Sequence, residues 1–482
     1  MQIKSIWVRI LLIFLILDTG YSFVQHYHQK LDGDVVGIVL PVVDCQPVLE
    51  DPFGLSVLLE NESYAGTNRY FAHKIMYEYM RGAPLLLQYF VEPVTSLYLS
   101  AGIIKIILQV LLIYLLAVFI TGKTHLKSKE LIIAMVLIAP FFQATGYHEY
   151  FGIIDNSITY ALFYAVGNVL VLLFFLPFIL KYFHNRQLKF GVLYYMWLIA
   201  LSVVISFHSP TNSGFILVMC PLVLMSFFYD GIKSNKAKSF IDNLLNGLKG
   251  IPTAILIIFV FIGLVSLYSF YIGTFNSQNK WTDVAITDRY ISLVKGLWQI
   301  VTFKFGQFLF FALLAFNLLL VYKSEKGEER SKFFKLTALL LVFALIYTLL
   351  LPLGGFRDYR PLIIRRDTYM PVLFAFMILY GMSTLYIIKY LKGSIKKLQL
   401  VLVALLLVVL TAADSFKPEM HHCEKDLLYL IAESKKKEII LPGKCTVLSW
   451  GTKYTFSASE NAAKLLLHWN IIEEPKRFKF QP

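Results

Sequence analysis

AGIIKIILQVLLIYLLAVFI, residues 101–120, carries one charge, Lys105, and one side-chain amide, Gln109. As a helix this stretch rises about 30 Å, the thickness of the hydrocarbon core of a bilayer. Similar apolar runs recur near 3–17, 131–145, 158–180, 192–207, 215–229, 251–271, 308–322, 336–351, 371–388 and 398–412. With 101–120 they predict eleven transmembrane helices. Alternating strand patterns are absent, so the backbone is expected to satisfy itself as helices. The whole chain agrees: of its 482 residues 57% are apolar and 16% charged, at a mean hydropathy of +0.64. A soluble domain sits near half apolar and a quarter charged. The expected class is an all-α polytopic membrane protein.

The formal net charge is +14, and its placement matters more than its size. Basic residues fill alternate connections: Lys123, Lys127 and Lys129; Lys181, Arg186 and Lys189; Lys233, Lys236, Lys238 and Lys249; Lys323, Lys326, Arg330, Lys332 and Lys335; Lys389, Lys392, Lys396 and Lys397. The connections at 146–157 and 208–213 contain no Lys or Arg. By the positive-inside rule this places the N-terminus in the cytoplasm and the tail outside. The charge reads as topology, with no nucleic acid as partner. Lys4 and Arg9 precede the first span, and the Asp18-Thr19-Gly20-Tyr21 stretch after it makes a poor cleavage site, so an uncleaved anchor is expected.

On this topology three polar segments lie outside. The first, 18–100, has Phe71, Ile75, Met76 and Tyr79 on one helical face, with Gly82-Ala83-Pro84 as the expected stop and 85–91 as a second short apolar stretch. Helices of this kind lie along the membrane interface. The second, 273–306, holds Trp281, Asp283, Asp288, Arg289, Tyr290, Lys295 and Trp298, and its latter half predicts another interfacial helix. The third is a small α/β tail, 414–482, following the transmembrane domain of 1–413. It is expected to run helix 424–434, strand 438–441, strand 445–450 and helix 459–469, with Ser459 as N-cap. Cys423 and Cys445 suit a disulfide worth ~3 kcal/mol. His421-His422-Cys423 offers zinc ligands but lacks a second ligand pair.

Four motifs bear on chemistry. Gly122-Lys123-Thr124 is no phosphate loop, because Ala117 stands where the first glycine is required and the tripeptide ends a span. In His26-Tyr27-His28-Gln29-Lys30-Leu31-Asp32-Gly33-Asp34, Asp32 and Asp34 flank a glycine that permits a tight bend. The two carboxylates can converge on a metal ion or a hydroxyl, or form an ordinary turn. Gly146-Tyr147-His148-Glu149-Tyr150, with Asp155 beyond, pairs imidazole with carboxylate in a connection free of basic residues, which suits a divalent metal ion or phosphate positioning. It lacks the second histidine of a zincin. Between the ninth and tenth spans stand Arg357, Arg360, Arg365 and Arg366, against the topological bias. Arginine grips phosphate with a planar fork, whereas neutralisation by Asp358 and Asp367 is the ordinary alternative. Lys105, near the outer end of its span, either assists or snorkels.

With a cytoplasmic N-terminus, an acidic motif after the first span, interfacial helices in the first outer segment and an acidic or metal-binding group in the 146–157 connection, the chain resembles the GT-C superfamily of membrane glycosyltransferases. The resemblance covers most of the chain, but the Trp-Trp-Asp triplet of the protein-N-glycosylating branch is absent. It implies sugar transfer from a polyprenyl-phosphate donor to an acceptor hydroxyl of a glycan, lipid or protein. In that case Asp32 or Asp34 is the base, and His148 and Glu149, in the 146–157 connection, match a second-outer-loop site that binds Mg or Mn in some members. Arg357, Arg360, Arg365 and Arg366, with Lys105, would face the lipid phosphate. The setting implied is a bacterial inner membrane, with the chemistry on its outer side. Two other readings compete. An O-antigen polymerase or ligase would concentrate function in a late loop, and a transporter or flippase would place ionisable groups at mid-membrane depth.

Overall fold

Apolar helices dominate the computed structural model, which describes residues 5–147, 151–188, 190–236, 239–278, 284–356, 361–415, 419–443, 445–451 and 455–481. Among these residues nine helices are long and apolar enough to cross a membrane. They are Ile6–Tyr27, Pro93–Thr121, Ile158–Phe183, Pro210–Ser234, Thr253–Gly273, Phe305–Lys323, Glu328–Gly354, Arg366–Tyr390 and Ser394–Ala413. Each falls on an expected apolar run. The chain is therefore all-α and polytopic, with its strands confined to Glu438–Leu441 and Arg477–Phe480 among the described residues. Pro93–Thr121, Ile158–Phe183 and Arg366–Tyr390 are the most enclosed. Outer helices instead present apolar side chains outward, for example Leu17, Leu264 and Val401, each more than 60% exposed. Such a surface suits lipid and not water.

Two expected spans come out short. Val192–Ser206 is an apolar helix of 15 residues. The run at 131–145 gives a helix of only 10 residues, Lys129–Ile138, and a 3₁₀ turn at Ala139–Phe141. Ten residues rise about 15 Å, half of a hydrocarbon core. Beyond the turn the chain is irregular and buried, and tertiary partners replace the helical hydrogen bonds. Gln143 Nε2 donates to Leu410 O at 2.5 Å, while Thr145 donates to Asp414 Oδ1 from its N–H at 2.8 Å and its hydroxyl at 2.9 Å. Non-helical backbone at such depth is tolerated where protein surrounds it.

The segment after the first span contains short helices at Asp34–Val39, Gln46–Glu50 and Leu55–Glu60, then the 18-residue helix Tyr70–Leu87. Pro84 was expected to stop this helix but lies inside it. A proline removes the N–H that would bond the carbonyl four residues back, which is Met80. Trp469 Nε1–H donates to Met80 O at 2.8 Å in its place. Tertiary contact thus repairs the break that the sequence signals. Ile286–Thr302 forms the helix expected in the second segment, burying Arg289, Leu293, Gly296 and Ile300.

The C-terminal segment departs from its expected order. Helices Glu419–Glu433 and Glu460–His468 are present, but 445–450 is irregular, and the second strand is Arg477–Phe480, parallel to Glu438–Leu441. Ser459 does not cap its helix through its side chain. Its hydroxyl accepts from Phe478 N–H at 2.8 Å, so it ties the helix to the second strand. Cys423 and Cys445 are bonded, with Cα atoms 6.2 Å apart. The segment is anchored by buried Glu424, which accepts from Leu31 N–H at 2.9 Å, Tyr98 O–H at 3.1 Å and Leu448 N–H at 3.1 Å.

Candidate functional site

Both oxygens of the buried Asp32 carboxylate are engaged. Oδ2 accepts from Ser157 Oγ at 2.6 Å and Thr159 N–H at 3.1 Å; Oδ1 accepts from Thr159 Oγ1 at 2.7 Å and Asp34 N–H at 3.1 Å. Ser157 is itself the N-cap of the span that begins at Ile158, accepting from Tyr160 N–H at 3.2 Å. Asp32 therefore puts a negative charge on a helix N-terminus, where unpaired N–H groups and the helix dipole favour one.

Asp34 is placed differently. It is half-buried, and its Oδ1 accepts from Trp450 Nε1–H at 2.9 Å. Burial, and after it the charge of Asp32, push its carboxyl above the ordinary range, while Trp450 and Arg69 offset part of the rise. Gly33 has φ −72° and ψ −18°, ordinary right-handed helical backbone, so the bend itself does not require glycine. Space does. A Cβ at Gly33 would come within 2.7 Å of Trp450 N and 2.6 Å of its Cδ1.

The 146–157 connection and the arginine segment meet this turn. Asp155 Oδ1 accepts from Ser157 N–H at 2.8 Å, and its Oδ2 pairs with Arg366. Arg365 grips Asp367 with two donors, Nε at 3.0 Å and Nη2. Its guanidinium lies 5.2 Å from the Tyr160 ring centroid, and Tyr160 stacks on Trp450 at 5.9 Å. Contacts thus run from Asp34 through Trp450 and Tyr160 to Arg365. The spans starting at Ile158 and Arg366 both aim their N-termini here, an arrangement that favours anions.

Lys105 supports the cluster from inside. It is 1% exposed, so it does not snorkel. Its Nζ donates to Gln29 Oε1 at 2.7 Å and Asn156 O at 2.5 Å, and its charge acts on Asp32 and Arg366. Further in, His26 Nε2 meets Gln109 Oε1 at 3.0 Å and Gln109 Nε2 donates to Ser22 at 3.0 Å.

Beside the cluster lies a cavity of about 440 Å³ with an apolar wall that includes Leu217, Leu267, Phe270 and Leu350. This is the size range of small-molecule sites. Two lining residues join it to the cluster: the charge of Arg69 acts on Asp34, and Thr368 Oγ1 accepts from Arg365 N–H at 3.1 Å.

Of the expected site residues, the structure brings together Asp32, Asp34, Lys105, Arg365 and Arg366. His148, Glu149, Arg357 and Arg360 lie outside the described residues. Sequence reasoning missed Arg69, Ser157, Thr159, Tyr160 and Trp450. Only Asp155-Asn156-Ser157 ahead of an apolar run carried a local signal, that of a helix start. No family model, curated protein or solved structure matches the chain.

Proposed function

We propose that this protein transfers a sugar from a polyprenyl-phosphate donor to an acceptor hydroxyl at the outer face of a bacterial inner membrane, as a GT-C type glycosyltransferase. One observation carries the reading. Carboxylates, arginines and two helix N-termini from distant parts of the chain meet beside a cavity with an apolar wall. A lipid-linked phosphate needs both halves of that arrangement. For orientation, the support is the alternation of lysine-rich connections, together with the Cys423–Cys445 bond, since disulfides persist in oxidising compartments.

Asp34 is the base in this reading. Its carboxylate takes the proton of the acceptor hydroxyl as that oxygen attacks the anomeric carbon, and the sugar–phosphate bond breaks with its electron pair leaving on the phosphate. Arg365 and Arg69 offset the charge that develops there. Asp32 does not reach substrate; it fixes the turn that aims Asp34. Lys105 and Arg366 hold the same scaffold through Asn156 and Asp155.

The test uses purified protein in nanodiscs, a panel of polyprenyl-phosphate sugars and an acceptor glycan. Release of polyprenyl phosphate by the native chain and not by Asp34→Asn is the expected result. Movement of intact donor between leaflets, with no cleavage, would replace this reading by the flippase one.

A further inference from the structure

The first helix ends at Tyr27, and the next residue, His28, faces the C-terminal segment. His28 Nδ1 and His421 Nδ1 are 3.2 Å apart, and His422 completes a group whose ligand nitrogens all lie within 4.8 Å of one another. We propose that His28, His421 and His422 bind a zinc-type transition-metal ion that fastens the C-terminal segment to the end of the first span. This site is separate from the Asp34 cluster, and it stands whether or not the chain transfers sugar.

The geometry of the His28–His421 hydrogen bond also fits a shared metal ion. Zn–N bonds of about 2.0 Å in a tetrahedron set the two nitrogens about 3.3 Å apart, which is the spacing of this pair. The third ring, exposed, stacked on His28 at 5.7 Å and edge-on to His421 at 5.0 Å, needs to close by at most about 1.5 Å. Ring packing holds the other two in place. The Tyr98 ring meets His421 edge-on at 4.9 Å, and Tyr27 meets His28 at 5.1 Å and His421 at 5.4 Å. An all-imidazole donor set selects zinc, copper or nickel over magnesium or calcium. Cys423 cannot join His421 and His422 as a thiolate ligand, since it is bonded to Cys445. His28, which follows the first span, supplies the missing ligand. Water would take the fourth position beside the exposed His422. The opposing feature is Lys425, whose Nζ lies 3.4 Å from Tyr27 Oη. Its charge weakens cation binding without closing the site.

The consequence is mechanical. His28 lies four residues before Asp32, and His422 lies two before Glu424, which accepts from Leu31 and Leu448 N–H. A metal here tightens the same junction that holds Trp450 over Asp34.

The experiment takes the full chain in detergent, any affinity tag removed, dialysed against Zn²⁺ and separately Co²⁺. The native protein should bind one equivalent more than His28→Ala, His421→Ala or His422→Ala, and its cobalt form should show tetrahedral visible bands that these variants lose. Affinity should fall at least ~100-fold, the upper end of what losing an outer-shell partner costs. Zinc should raise the melting temperature of the native chain alone. His422→Ala keeps the fold decision clean, since its ring is exposed. Equal metal content in native protein and His422→Ala, with unchanged cobalt spectra, would overturn the site.

Discussion

Replacing Asp32 with Asn, beside the same change at Asp34, tests the proposed division between a structural carboxylate and a chemical one. Each Asp32 oxygen accepts one hydroxyl and one backbone N–H: Ser157 Oγ and Thr159 N on Oδ2, Thr159 Oγ1 and Asp34 N on Oδ1. The NH₂ of Asn must occupy one of those places. A hydroxyl there can turn and accept, but a backbone N–H cannot, so either amide orientation orphans one N–H group. An unsatisfied buried donor costs ~1–3 kcal/mol, and the surviving bonds lose the strength that charge lends them, for a total of ~3–5 kcal/mol. In a chain of this size that is a drop in melting temperature on the order of 5 °C. Asp34→Asn should behave in the opposite way. Asn keeps the oxygen that accepts from Trp450, and it removes a desolvated charge beside Asp32. Its melting temperature should hold or rise while transfer falls ~10²–10⁴-fold. Scanning fluorimetry and a single-turnover donor assay on the two variants decide the matter. An Asp32→Asn melt within about 1 °C of native, or full transfer by Asp34→Asn, would refute the assignment.

Arg365→Lys keeps charge but loses the planar fork, so donor binding, measured with a polyprenyl phosphate, should weaken at least ~10-fold; unchanged affinity would leave Arg365 as a partner of Asp367 alone. Trp469→Phe should cost ~1–3 kcal/mol by stripping Met80 O of its donor, and Pro84→Ala in that background should recover most of it by restoring the helical N–H; no recovery refutes the repair. Burial holds the His73 and His208 imidazoles down at about 4. The unfolded chain therefore binds protons that the folded one refuses, and stability should fall as pH drops from about 6.5 to 4, by ~3 kcal/mol per group, with a flatter acid limb in His73→Leu. Cysteines introduced at Ser128 and Ser234 should resist an impermeant thiol reagent in intact cells, and one at Ser277 should react. Labelling at Ser128 would reverse the proposed orientation.

Apolar run length was enough, by itself, to announce an all-α membrane chain, because hydrocarbon demands long helices whatever their neighbours. Asp32, Asp34, Arg365 and Arg366 were also legible as candidates, since polar residues at the margins of such runs are conspicuous. The different surroundings of Asp32 and Asp34 were not. Two carboxylates one residue apart look alike in sequence, and only the folded chain sets Ser157 and Thr159 against one and Trp450 against the other. Pro84 shows the same limit: local propensity reads it as a stop, and an indole from residue 469 overrides it. The shortened helix at Lys129–Ile138 and the three-histidine group likewise depend on partners hundreds of residues away, Leu410 and Asp414 in one case and His421 in the other. Periodicity and run length report how a segment meets its solvent. They carry no information about which distant donor or acceptor a buried polar group will find, and in this protein those pairings make the site.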